Sequence, residues 1–138
     1  MFETIARSRW TGRLLSVLRI MAGLLFFAHS LVKLFGFPAG QPPGQVAVLS
    51  LFGVAALIEF VGGALVTLGL FTRPVAFLLS GQMAVAYFLV HAPRTFLPGL
   101  NGGEGAILFC FIFLYISAAG GGPWSVDALR RRSGGWSR

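Results

Sequence analysis

Cysteine is nearly missing from this chain: Cys110 is the only one in 138 residues. That excludes an intrachain disulfide, a CxxC redox pair, a multi-cysteine iron–sulfur site and a c-type haem attachment, so any redox role must use something other than paired thiols. Two histidines are too few for a self-sufficient His-rich metal site. Charge is scarce as well: Asp, Glu, Lys and Arg make up 11% of residues, against ~25% in ordinary soluble domains, and only four are acidic. No P-loop, dinucleotide fingerprint or serine-triad pattern is present, which argues against an independent enzyme of those kinds.

What fills the chain is apolar. Hydrophobic residues make up 56%, Phe alone supplies 14, and mean hydropathy is +0.81. Such a composition cannot furnish a water-facing coat without large apolar patches, so the bilayer is the expected solvent and partner. A net charge of +7 and a pI near 11.4 would suggest nucleic acid in a soluble protein. Here the arginines gather at the chain ends and in the breaks between apolar runs, so they read as topology signals and no nucleic-acid partner is expected.

Four stretches, near residues 14–37, 46–70, 73–92 and 103–121, are long enough to cross a hydrocarbon core of ~30 Å, which takes about 20 helical residues. Between them lie Phe37-Pro38-Ala39-Gly40-Gln41-Pro42-Pro43-Gly44, then Thr72-Arg73-Pro74, then Pro93 to Gly103. The runs are continuous rather than alternating, and four strands could not close a barrel. Short connections then predict one all-α domain over residues 1–138, an integral membrane four-helix bundle of antiparallel up-down topology. The first run is too long for a signal-peptide core and carries Arg19, His29 and Lys33, so it is read as a retained helix.

Arg7, Arg9, Arg13, Arg73, Arg130, Arg131, Arg132 and Arg138 fall on one side of these spans, and Arg94 alone falls on the other. Positive charge stays inside, which places both termini in the cytoplasm and makes 122–138 a cytoplasmic basic tail. Trp10 and Trp124 flank the first and last spans at that face. The tail segment Asp127-Ala-Leu-Arg-Arg-Arg reads first as an inside anchor. It also suits anionic lipid, at ~1 kcal/mol per basic residue.

The informative residues are those a membrane tolerates poorly, since an ionisable group at mid-helix costs ~2.5–3.5 kcal/mol. On a helical wheel Arg19, Gly23, Phe26, Ser30 and Lys33 share one stripe, with His29 at its border. Glu59 sits near the middle of the second run and is followed by Gly62, Gly63 and Gly69, which would let a neighbouring backbone close over it. It needs a proton or a cation, and Arg19 and Lys33 are the candidates. Ser80, Ala84, Tyr87 and His91 align on one face of the third helix. Asn101 followed by Glu104 has the spacing of a capping box. By counting, Lys33, His91 and Glu104 should converge near the outer surface with His29 slightly deeper. The plainer readings stand beside these: Arg19 and Lys33 snorkel to opposite headgroup layers, Glu104 completes a cap, and His91 is a hydrogen-bonded ring.

These residues, together with Arg73, Met83, Ala86 and the exit Gly120-Gly-Gly-Pro-Trp-Ser-Val-Asp127, resemble the DoxX family in order and spacing over residues 15–129. The resemblance implies a small four-helix protein of the bacterial inner membrane. Members are associated with thiosulfate:quinone oxidoreductase and with complexes that handle thiol or oxidative stress. Lys33, Glu59, His91, Asn101 and Glu104 match the family's polar positions, while Ser30 stands where a Gly is expected. The leading expectation is a membrane subunit of a redox complex that binds quinone or a related apolar carrier through Arg19, His29, Lys33, Glu59, Tyr87, His91 and Glu104. His91 and Glu104 would then move protons, and no metal site is expected. Haem between His29 and His91 fits less well, because one pair of histidines cannot carry electrons across the membrane. A non-catalytic scaffold, with a protein partner or a second copy, is the main alternative, and a small transporter or proton-conducting oligomer is another.

Overall fold

A computed structural model describes residues 9–134, and all regular structure among them is helical. Arg7 and Arg138 of the expected basic face lie outside the described residues. Helix α1 runs Arg9–Phe35 and α2 Leu51–Leu68. Helix α3, Thr72–Ala86, continues into a π-helical turn, Tyr87–His91. The short α4 (Pro98–Asn101), then α5 (Glu104–Ala119) and α6 (Val126–Ser133), complete the described residues. Among the described residues, three segments are long and apolar enough to cross a membrane: Arg9–Phe35, Leu51–Leu68 and Thr72–His91. Helix α5 is apolar but has 16 residues, about 24 Å at ~1.5 Å each. It is shorter than the expected 103–121 because Gly120 leaves the helix at φ +89°.

The second helix also begins later than expected, at Leu51 rather than residue 46. Residues 46–49 are drawn away from it: the Val46 amide donates to the Lys33 carbonyl (2.8 Å) and the Gln45 side-chain amide to the Leu34 carbonyl (3.1 Å). The segment thereby satisfies carbonyls that the end of α1 leaves open. Ser50 then starts α2 as its N-cap, its hydroxyl accepting from the Gly53 amide at 3.0 Å.

Lipid tails are as apolar as leucine, so helices in a bilayer associate through close packing and polar contacts rather than through exclusion of water. Helices α1 and α2 meet at glycines: a Cβ on Gly23 would lie 2.8 Å from the Thr67 nitrogen, and one on Gly63 would lie 2.9 Å from the Phe27 nitrogen. The stripe read from the sequence is buried at Arg19, Gly23, Phe26 and Ser30, with Lys33 at its margin. Ser30 is accommodated there because its hydroxyl turns back onto the Phe27 carbonyl at 2.5 Å. Helices α3 and α5 are joined by the Ser80 hydroxyl, which donates to the Cys110 carbonyl at 2.8 Å. Between the two pairs lies a core of Phe26, Val66, Leu79, Met83, Phe113 and Ile116, with Phe26 edge-on to Phe113. Leu14, Leu25, Phe77, Phe88, Leu108 and Phe111 face outward, a coat suited to lipid.

These contacts give the molecule two distinct ends. At one, the Trp124 amide donates to the Ser16 hydroxyl (3.2 Å) and α6 folds against the start of α3, so the start of α1 and α6 lie together. At the other lie the end of α1, the 36–50 loop and the π-helical turn beside α4.

Candidate functional site

At the end away from α6, Lys33 projects from the last turn of α1 and bonds both oxygens of Glu59, at 2.6 and 2.8 Å. Glu59 is 2% exposed and Lys33 21% exposed, so the pair is held inside the helices with one edge accessible. Glu59 therefore takes its cation from Lys33, and Arg19 lies elsewhere. A third residue joins them: the Gln82 side-chain nitrogen, from α3, donates to Glu59 Oε1 and to the Ala55 carbonyl, both at 3.1 Å. Turning that amide over would set its oxygen against two acceptors, so the network fixes the orientation. Gln82 Oε1 is then a buried acceptor that has no donor among the described residues. Two of the three ammonium hydrogens of Lys33 are engaged by Glu59, leaving one for another acceptor.

A second group forms where α3 widens into its π-helical turn, in which the Ala92 amide bonds the Tyr87 carbonyl at 2.9 Å. Such turns recur at functional sites. The His91 ring stacks on Tyr87 with centroids 6.4 Å apart, and its Nδ1 lies 3.1 Å from the Asn101 carbonyl. A carbonyl only accepts, so Nδ1 carries the hydrogen and Nε2 is the basic nitrogen of the neutral ring. The Tyr87 hydroxyl donates to the Phe96 carbonyl at 2.6 Å, and the Asn101 side chain donates to the Thr95 carbonyl at 2.7 Å. The expected capping box does not form. Asn101 ends α4, its side-chain oxygen accepts from the Gly103 amide (2.7 Å), and α5 starts at Glu104 without a side-chain cap. The extra turn Pro98–Asn101 is the reason, since it makes Asn101 close one helix instead of opening the next. Glu104 is exposed beside Gly99. His29 is exposed on α1, one turn before Lys33, with its ring edge-on to Phe109.

The structure therefore brings Lys33, Glu59 and Gln82 together, and separately Tyr87, His91 and Asn101. No hydrogen bond or ion pair joins the two groups among the described residues. Nor are three His, Cys, Asp or Glu side chains grouped there as metal ligands would be.

Arg19 lies at the other end, fully buried. Its Nε donates to the Gly121 carbonyl (2.8 Å), Nη1 to the carbonyls of Val66 (2.6 Å) and Thr67, and Nη2 to the Trp124 carbonyl (2.6 Å). A single guanidinium thus closes the last turn of α2 and ties it to the 120–125 segment. Gly69, at φ +72°, ends α2, and a Cβ there would lie 3.0 Å from the Arg19 guanidinium carbon. Asp127 adds a second tie: its two oxygens accept from the amides of Phe71 (3.0 Å) and Thr72 (2.9 Å), capping α3 from α6. Burial pushes this carboxyl up, but the hydrogen bonds from Thr72 and Phe71 and the charge of Arg131 outweigh it, holding its pKa below the ordinary carboxylate value.

Gln82 and the anchoring role of Asp127 escaped the sequence reading. An uncharged amide within the third apolar run was the available signal for Gln82. Asp127 acts on residues 55 and 56 positions away, which no local pattern reveals.

Apolar helices of spanning length, an outward apolar coat and inward polar ties define an all-helical membrane protein. The sequence matches the DoxX family over residues 14–92, and the chain belongs to that family. It is 42% identical over 117 residues to an uncharacterized protein of Haemophilus influenzae strain Rd, an alignment covering 82% of this chain and 87% of the relative. No solved structure matches it.

Proposed function

We propose that this DoxX family protein is the membrane subunit of a redox complex and binds quinone or a related small apolar electron carrier beside Lys33, Glu59 and Gln82. The observation that carries the reading is the buried Gln82 oxygen, without a donor among the described residues, on a side chain that shares Glu59 Oε1 with an ammonium that has one hydrogen to give. That pair offers a donor to a ring carbonyl and an acceptor to a ring hydroxyl, the two forms in which such a carrier presents its oxygen. A buried acceptor left unpaired costs about 1–3 kcal/mol, which a hydroxyl-bearing ligand offsets. Glu59 holds Lys33 in place and balances its charge. His91, with Nε2 basic, takes or returns protons near the surface together with Glu104, and Tyr87 orients the His91 ring. A bound quinone supplies two-electron, two-proton chemistry, and a protein partner of the complex supplies or receives the electrons.

In this reading α5 completes an antiparallel four-helix bundle in the bacterial inner membrane, and the arginine-rich end faces the cytoplasm. The test is to purify the protein from native membrane and extract its lipid-soluble molecules. Quinone at near-stoichiometric amount, with protection against heating by quinone analogues, is the expected result. Neither quinone nor protection would contradict it.

The Arg19 clasp favours a second reading, a scaffold whose polar groups serve only to lock helices and present a docking face. It expects Lys33→Ala and Glu59→Ala to lower thermal stability and partner capture with no effect on turnover. Loss of redox activity in the paired variant Lys33→Met with Glu59→Leu, folded normally, would exclude it.

A further inference from the structure

At the end that carries α6, an open cleft of about 430 Å³ lies between the start of α3 and α6, lined chiefly by Phe71, Thr72, Arg73, Asp127, Arg130 and Arg131. Three arginines here face one carboxylate, and that carboxylate is already engaged by the Phe71 and Thr72 amides. The cleft is therefore positive, and the Phe71 and Thr72 amides at the start of α3 are satisfied from within rather than offered to an anion. Arg73 keeps one nitrogen on the Ala118 carbonyl at 2.7 Å, which fixes its stem while its other donors stay open. The Arg130 guanidinium stands over the Phe71 ring at 5.3 Å. Both residues are thus positioned by the fold rather than left to wander in solvent.

Depth identifies the occupant. Thr72 is the first residue of a span of membrane length, Thr72–His91, so the cleft opens at the level where that span enters the bilayer. Phe71 and Leu129 at this end, and Phe77 further along α3, present exposed apolar side chains. A ligand with an anionic head and apolar chains meets both the arginines and this rim, and a small soluble anion meets only the first. We propose that the cleft binds the phosphate of an anionic phospholipid, with Arg73, Arg130 and Arg131 as its donors. This site is independent of the quinone reading and lies at the other end of the molecule.

Arg132 supplies the control, because it carries the same charge on the same helix but does not line the cleft. The experiment is native mass spectrometry of the detergent-solubilised full chain titrated with phosphatidylglycerol, with phosphatidylcholine as the neutral comparison. Arg131→Gln should lower phosphatidylglycerol retention about tenfold, the loss of one charge-assisted contact, and Arg132→Gln at most about twofold. Arg130→Gln, which removes no backbone contact of Arg73, should match Arg131→Gln. Equal losses for Arg131→Gln and Arg132→Gln would overturn the site in favour of diffuse attraction. Displacement of the lipid by an equal concentration of inorganic phosphate would overturn the lipid assignment, and no displacement is expected.

Discussion

Helix α1 delivers two cations to opposite ends of the molecule, and they are handled differently. Arg19 is enclosed by four backbone carbonyls from α2 and the 120–125 segment, whereas Lys33 meets a carboxylate and keeps one edge open. Guanidinium geometry suits the first task, since its donors are fixed in a planar fork that can tie separate segments at once. An ammonium paired with a carboxylate and an amide suits the second, because the ammonium keeps one hydrogen and the amide keeps one acceptor for a ligand. The contrast teaches that a charge in a membrane helix is not functional merely because it is costly. The kind of partner decides: carbonyls mark a clasp, and titratable groups with an open acceptor mark a candidate site.

The largest expected effect tests the clasp. Arg19→Ala takes a donor from four carbonyls, of which Val66 keeps the Gly69 amide, and should destabilise the protein by about 3–4 kcal/mol, read as loss of a cooperative thermal transition in detergent. Arg19→Lys should recover only part of this, since an ammonium has three hydrogens and no fork. Full stability of Arg19→Lys would show that the guanidinium geometry is unimportant.

The next effect concerns the ion pair. Glu59→Ala strands the Lys33 ammonium and should cost about 3 kcal/mol. Replacing both partners together, Lys33→Met with Glu59→Leu, should restore most of that stability, because an apolar pair carries no desolvation penalty. Thermal melts of the three proteins measure this directly. A double variant as unstable as the single one would mean that the pair holds the fold as Arg19 does, erasing the difference between the two ends.

The smallest effect belongs to Asp127. Its removal as a cap, Asp127→Ala, should cost about 1 kcal/mol. Its folded pKa lies below its unfolded one, so the stabilisation is fully present above the ordinary carboxylate value and is lost as pH falls toward the folded value. A melting temperature followed from pH 6 down to pH 3 should decline less steeply for Asp127→Asn than for the wild type. Identical slopes would contradict the assignment.

Much of the fold was legible because apolar runs and their breakers are local signals. The Pro42-Pro43-Gly44 break and the Gly120 exit each mark an end, and the later start of α2 needed tertiary contacts. Glu59, Arg19 and Lys33 stood out as misfits in lipid, yet their partners did not, because residue counting leaves each helix free to rotate about its axis. Depth alone allowed either cation to meet Glu59. The relation of Asn101 to Glu104 was misread since α4 inserts a turn that a spacing rule does not see. Gln82 was passed over because it bears no charge, although a buried amide is as demanding of partners as a buried ion is of counter-charge.

The paired variant also gives the most direct test of the central claim, that the Lys33–Glu59–Gln82 group holds a ligand while Arg19 holds the fold. Quinone content per mole of protein should be measured after purification of the wild type and of Lys33→Met with Glu59→Leu, at matched melting temperature. The account expects quinone with the wild type and little with the paired variant. Equal quinone in both, or none in either, would contradict it.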